Sequence, residues 1–266
     1  MISEDTCRAE DAELHVRRTG EGPPLLVIAG GIGSADALRA LSARLSAEYT
    51  VLCYDRRAHF RSTDRSEGSI TVSRQADDAR AVIEHFGYGK ALVFGSSAGA
   101  QIGLALAARH PEVVDGLVAH EPPAVRLLPD ADEWLAFAEA QTSWAAKGDV
   151  FQAFQGFIES IAGAGLPALK PVRLPNEAEW QTLFDRELTE IYHYLPDTHE
   201  LRRNGLPIVL AAGVESRGYH HYRPAKKLAL ELGLPFVEMP GAHLAPQRDA
   251  AEFGAALCSL LNDFLS

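Results

Sequence analysis

The chain has 266 residues, 47% hydrophobic and 23% charged, a balance that fits one large soluble domain or a core carrying an insertion. A formal net charge of −11 without any Lys/Arg run excludes nucleic acid and anionic membranes as expected partners. Cys7, Cys53 and Cys258 are odd in number and widely separated, so neither a zinc site nor a disulfide framework is expected.

Residues 1–20 are polar and acidic without an apolar signal core, and no run of about 18 apolar residues exists to span a bilayer. The expected location is therefore the cytoplasm. Residues 13–19 and 25–29 read as an antiparallel pair joined by the turn Gly20-Glu21-Gly22-Pro23-Pro24. Apolar spacing at Leu38, Leu41 and Leu45 predicts a helix over 34–47, with Ser34 as its N-cap. A strand over 50–54, a helix over 71–86 and a strand over 91–94 follow, the last leading into a helix that stops at Arg109-His110-Pro111. Further strands are expected at 116–120, 207–212 and 235–239, with helices at 224–232 and 246–265.

Apolar runs this continuous mark strands buried on both faces, so the fold class is α/β with a mostly parallel, doubly wound sheet. Residues 123–204 break the alternation. They hold helical patterns at 131–146, 150–162 and 177–194 and no convincing strand. The expected organisation is a core of 1–122 and 205–266 with a helical cap (lid) at 123–204. All three tryptophans, Trp134, Trp144 and Trp180, lie in this cap beside Phe137, Phe151, Phe154 and Phe157. Most of these rings are needed for the cap's own core. An apolar face left toward the cleft predicts a hydrophobic small-molecule substrate.

Gly95-Ser96-Ser97-Ala98-Gly99 sits between the strand at 91–94 and the helix that follows. A G-x-S-x-G at a strand-to-helix turn is a nucleophile elbow, which holds its central residue in strained geometry at the strand tip. Ser97 is the candidate nucleophile. An acyl-transfer serine also needs a base, an orienting acid and an oxyanion hole. His243, in Pro240-Gly241-Ala242-His243, lies on the loop after the last strand and is the candidate base, ahead of His59, His120 and the His220-His221 pair. The oxyanion hole needs two converging N–H donors, each worth about 3 kcal/mol in comparable sites. Ala98 and Gly31, the latter in the turn Ala29-Gly30-Gly31-Ile32-Gly33, are the candidates. That turn lacks the third glycine of a dinucleotide fingerprint and the Lys-Ser/Thr of a P-loop, so no nucleotide is expected there. Two carboxylates compete as the acid. Glu121 follows the strand ending at His120, and Glu215 follows the strand ending near Ala212.

Together these pieces resemble the α/β-hydrolase superfamily over essentially the whole chain, in the order nucleophile, acid, histidine. Asp55-Arg56-Arg57-Ala58-His59-Phe60-Arg61-Ser62 is similar to that family's D-x-R-G-x-G-x-S turn and departs from it at Ala58 and Phe60. Ala29-Gly30-Gly31 likewise lacks the histidine of the common oxyanion loop. The elbow, His120-Glu121-Pro122-Pro123 and Pro240-Gly241-Ala242-His243 together resemble the zearalenone-type lactone hydrolases, in which a glutamate of an H-E-x-P segment completes the triad. That resemblance favours Glu121 over Glu215. It implies hydrolysis of a carboxylic ester or lactone through an acyl-enzyme, with no metal and no organic cofactor.

Cofactor-free perhydrolysis and C–C bond hydrolysis are alternatives on the same residues. Epoxide hydrolysis and dehalogenation are disfavoured, since relatives that perform them carry Asp at the elbow. A non-catalytic small-molecule receptor on the same scaffold is the alternative of another class. The oligomeric state is left open, with a homodimer as one option.

Overall fold

The structure, a computed structural model, describes residues 2–162 and 177–264. Nine strands form one sheet: β1 (Ile2–Ala9), β2 (Ala12–Thr19), β3 (Pro24–Ile28), β4 (Thr50–Tyr54), β5 (Thr63–Asp64), β6 (Ala91–Ser96), β7 (Val114–His120), β8 (Ile208–Gly213) and β9 (Phe236–Met239). Their order is β1-β2-β4-β3-β6-β7-β8-β9, with β5 paired to β2. From β4 to β9 all neighbours are parallel, whereas β1, β2 and β5 are joined antiparallel at one edge. The fold is a mostly parallel sheet with flanking helices, as its apolar runs imply.

Side-chain alternation along each strand feeds two cores. Leu26 and Ile28 of β3, with Ala91 and Val93 of β6, join the core on one face, while Leu25, Val27, Leu92 and Phe94 join the other. The first core is covered by α2 (Val72–His85), α3 (Ala98–Arg109) and α9 (Tyr222–Leu232). The second is closed by α1 (Arg39–Leu45) and α11 (Ala250–Asp263), with the short α10 (Ala245–Arg248) between β9 and α11. Ser34 caps the short 3-10 turn that precedes α1, accepting from the Asp36 N–H, and Thr71 caps α2 through the Arg74 N–H.

One expectation at the N-terminus is overturned. β2 and β3 do not pair. β4 lies between them, and β2 instead forms a hairpin with β1, turning at Glu10-Asp11. β1 escapes a hydrophobicity reading because, as an edge strand, it buries only Cys7 and Ala9. All three cysteines are free and buried. No helix among the described residues is long and apolar enough to cross a membrane.

Between β7 and β8 the described chain is helical: α4 (Ala131–Ala146), α5 (Val150–Ala162), α6 (Glu177–Thr182), a π-helical segment (Leu183–Glu187), α7 (Leu188–His193) and α8 (Thr198–Asn204). Residues 163–176 of the expected cap lie outside the described residues. Phe154, Phe157, Trp180 and Phe184 stack into a small aromatic core within this insert. Trp144 and Phe151 are instead solvent-exposed. α8 sits differently from its neighbours. It packs on α3 and α9, and the Asn204 amide donates to the carbonyls of Ala107 and Ala108. It leads directly into β8.

Candidate active site

Ser97, Glu121 and His243 all follow C-terminal ends of parallel strands, where an open α/β sheet presents its ligand crevice. Sheet register brings them together. Ser96 pairs with His120, His120 with Ala211, and Gly213 with Met239. Two further bonds extend this pattern into the loops: the Ser97 N–H donates to the His120 carbonyl at 2.8 Å, and the Glu121 N–H donates to the Ala211 carbonyl at 2.9 Å.

Ser97 has φ 56° and ψ −124°, a conformation that costs a β-carbon-bearing residue of order 1–3 kcal/mol. Its glycine neighbours are required by space. A Cβ on Gly95 would stand 2.2 Å from the Gly99 carbonyl oxygen, and one on Gly99 would stand 2.2 Å from that of Ile28. The strand–turn–helix is that tight because α3 starts immediately after Ser97 and crosses back over β3 and β6.

Glu121 is fully buried, with φ 50°, and both its oxygens are engaged. Oε1 accepts the Gly213 N–H at 2.8 Å, and Oε2 lies 2.6 Å from His243 Nδ1. Burial opposes the charge of this carboxyl, but the hydrogen bond to His243 and the fields of His120, His243 and His221 outweigh it and hold it well below the usual carboxylate range. An ionised carboxylate only accepts, so Nδ1 of His243 carries a proton, and in the neutral ring Nε2 is the acceptor. Glu215, the competing acid, is exposed and does not meet His243. The cation beside it in sequence, Arg217, pairs with Glu238 instead.

Ser97, Ala98, Gly31 and His243 line one cavity, whose other walls include the apolar side chains of Phe157, Leu183 and Ile191 together with Tyr192, His220 and His221. A contiguous cavity on the other side of Ser97 adds Trp180, Ile158 and Leu38. The sequence-favoured nucleophile, base, acid and oxyanion donors therefore converge. Of the competing histidines, His220 and His221 line the first cavity, whereas His59 and His120 line neither. His120 is buried beneath His243, with its Nδ1 3.4 Å from Ser96 Oγ, and burial pushes its pKa down to about 4.

His59 belongs to a buried cluster that sequence reading did not single out. Arg56 Nη1 donates to both oxygens of Glu187, at 2.8 and 2.9 Å, and also to Gln75 Oε1, while its Nη2 donates to the carbonyls of Gly30 and Gly31. His59 Nε2 lies 3.1 Å from Glu187 Oε2. One guanidinium thus ties the Gly30-Gly31 turn to the π-helical end of the insert. In the Asp55-to-Ser62 turn that carries Arg56 and His59, Ala58 (φ 60°) and Phe60 (φ 50°), the two departures from the resembling motif's glycines, hold the left-handed conformation.

Among the described residues, one group places three metal-ligating atoms within 4.8 Å of one another: Glu121, His221 and His243. A cation held by all three would take the Glu121 oxygen that now meets His243 Nδ1.

A family model described as alpha/beta hydrolase fold matches residues 23–165. An uncharacterized hydrolase, YraK, from Bacillus subtilis (strain 168) is 32% identical over 98% of this chain and 96% of its own length. A 2-(acetamidomethylene)succinate hydrolase from Mesorhizobium japonicum is 27% identical over 86% of this chain and 84% of its own. The solved enol-lactonase from Burkholderia xenovorans LB400 superposes with a TM-score of 0.73 over 97% of this chain and 100% of that one. At 19% identity that likeness is one of fold.

Proposed function

We propose that this chain, which belongs to the α/β-hydrolase family, is a serine hydrolase that opens a carboxylic ester or lactone of a hydrophobic small molecule through an acyl-enzyme. The observation that carries the reading is the convergence on one cavity of a strained Ser97 with a His243 whose Nδ1 is fixed by buried Glu121. In this reading residues 123–204 form a cap over the strand ends, and its apolar side chains receive the acyl or ring portion of the substrate.

Ser97 Oγ attacks the carbonyl carbon while its proton passes to His243 Nε2. The developing oxyanion is met by the N–H groups of Gly31 and Ala98, and Glu121 stabilises the imidazolium that forms. Collapse expels the alkoxide, which takes the proton from Nε2 and, in a lactone, stays attached to the acyl group. Water, deprotonated by His243, then attacks the acyl-enzyme and frees Ser97. Arg56 holds the carbonyls of Gly30 and Gly31 and so fixes the turn that presents the Gly31 N–H. A receptor has no use for backbone strain at Ser97 joined to an oriented imidazole, which is why catalysis is preferred.

The test is pre-steady-state hydrolysis of p-nitrophenyl butyrate. A nitrophenolate burst stoichiometric with enzyme, absent in Ser97→Ala, is expected. Turnover by Ser97→Ala close to wild type overturns the reading.

A further inference from the structure

Besides Ser97 and His243, the polar side chains lining the cavity beside Ser97 are those of Tyr192, His220 and His221. Both histidines are buried, and three of their nitrogens, Nδ1 of His220 and both of His221, have no hydrogen-bond partner within the protein. Nε2 of His220 is 3.5 Å from the Tyr192 hydroxyl, the long limit of a hydrogen bond. Nε2 of His221 is 3.4 Å from Glu121 Oε2 but lacks hydrogen-bond alignment. A buried polar atom left unpaired costs on the order of 1–3 kcal/mol, and all three belong to residues that line this cavity, so a ligand group that reached them there would be stabilised.

Ring contacts hold both side chains in place. His220 stacks on Trp134 with centroids 3.7 Å apart, and His221 lies between Tyr219 and His243. Burial pushes the His220 pKa down to about 3 and drives His221 well below its ordinary value, so both rings are neutral at physiological pH. The Glu121 carboxylate stands directly behind His221. A neutral imidazole wall backed by an anion disfavours a carboxylate or phosphate and suits an uncharged oxygen.

We infer that His220 and His221, with Tyr192, form the polar end of the acyl pocket and select substrates whose apolar acyl group carries a neutral ketone or hydroxyl oxygen. The inference rests on the hydrolase reading for its substrate and on the cavity for its ligand chemistry, and the two are tested separately. In Ser97→Ala protein, where binding is read without turnover, methyl 4-oxohexanoate should bind about 10-fold more tightly than methyl hexanoate, measured by NMR titration. That factor corresponds to about 1.4 kcal/mol. Adding His220→Phe, which keeps a ring against Trp134, should remove the difference, and His220→Asn, which returns a donor and an acceptor, should restore part of it.

Equal affinities, undetectable binding of both esters, or a preference that survives His220→Phe each overturns the subsite. Fluorophosphonate labelling of wild-type Ser97 gives the independent reading. Labelling without ketone preference removes the subsite and leaves the hydrolase. Ketone preference without labelling leaves a binding pocket and removes the hydrolase.

Discussion

Glu121 uses one oxygen to accept the Gly213 N–H at the end of β8 and the other to hold His243 Nδ1 at 2.6 Å, so a single buried carboxylate joins the loops after β7, β8 and β9. That relationship distinguishes it from Glu215, which is exposed. Glu121→Gln replaces the acceptor with an amide that offers a donor to Nδ1 and favours the wrong tautomer. A loss in kcat of about 10⁴-fold is expected. Glu215→Gln should stay within about twofold of wild type, as surface changes do. Steady-state kinetics on one activated ester compares the two, and a reversal of their effects would transfer the acid role to Glu215.

Arg56 and Glu187 form a fully buried ion pair, with side-chain exposures of 1% and 0%. Glu187→Leu leaves the guanidinium in the interior without its counter-charge, a loss worth about 3–5 kcal/mol in comparable pairs. Urea denaturation should show a lower midpoint for this variant. An unchanged midpoint would mean that Gln75 and the Gly30 and Gly31 carbonyls suffice to hold the charge.

Ala58 adopts φ 60°, a conformation that costs a β-carbon-bearing residue roughly 1–2 kcal/mol. Ala58→Gly removes that strain and returns part of the gain as unfolded-state entropy. A net stabilisation of about 0.5–1 kcal/mol is expected, read as a rise in melting temperature. A fall would show that the Ala58 methyl contributes packing greater than the strain.

His120, His220 and His221 are buried and neutral, with pKa values depressed from the ordinary 6.5, to about 4 for His120 and about 3 for His220. Below pH 6.5 the unfolded chain takes up protons at these positions that the native chain does not, so stability falls as pH drops. Each contributes about 1.4 kcal/mol per pH unit, and the three together about 4. Glu121, held below its ordinary 4.5, adds a further loss below pH 4.5, where the unfolded chain takes up a proton there that the folded chain does not. Denaturation midpoints at pH 7.5, 6.5 and 5.5 should therefore hold between the first two and drop at the third. A flat response down to pH 5.5 would contradict the burial of these rings as neutral groups.

The parallel part of the sheet was legible because its strands are apolar throughout. The strand expected at 50–54 is β4, and the helices expected at 131–146 and 150–162 are α4 and α5. β1 was not legible, since an edge strand that buries only Cys7 and Ala9 carries little hydrophobic pattern. Nor was the partner of β2, because β4 enters from later in the chain and adjacency in sequence favours the wrong neighbour. Ser97 and His243 could be picked by their places on strand-tip loops. Glu121 and Glu215 also both follow strands, and beyond the resemblance that favours Glu121 it is the hydrogen bond to His243 Nδ1 that separates them. The Arg56–Glu187 pair joins residues 131 apart through a π-helical turn, and no local pattern announces such a contact.

An activated Ser97 reacts with a fluorophosphonate, and intact-mass analysis reads the product. One adduct per wild-type chain, mapped to Ser97, and none on Ser97→Ala is expected. An unmodified wild-type protein, or an adduct that persists in Ser97→Ala, would contradict that activation.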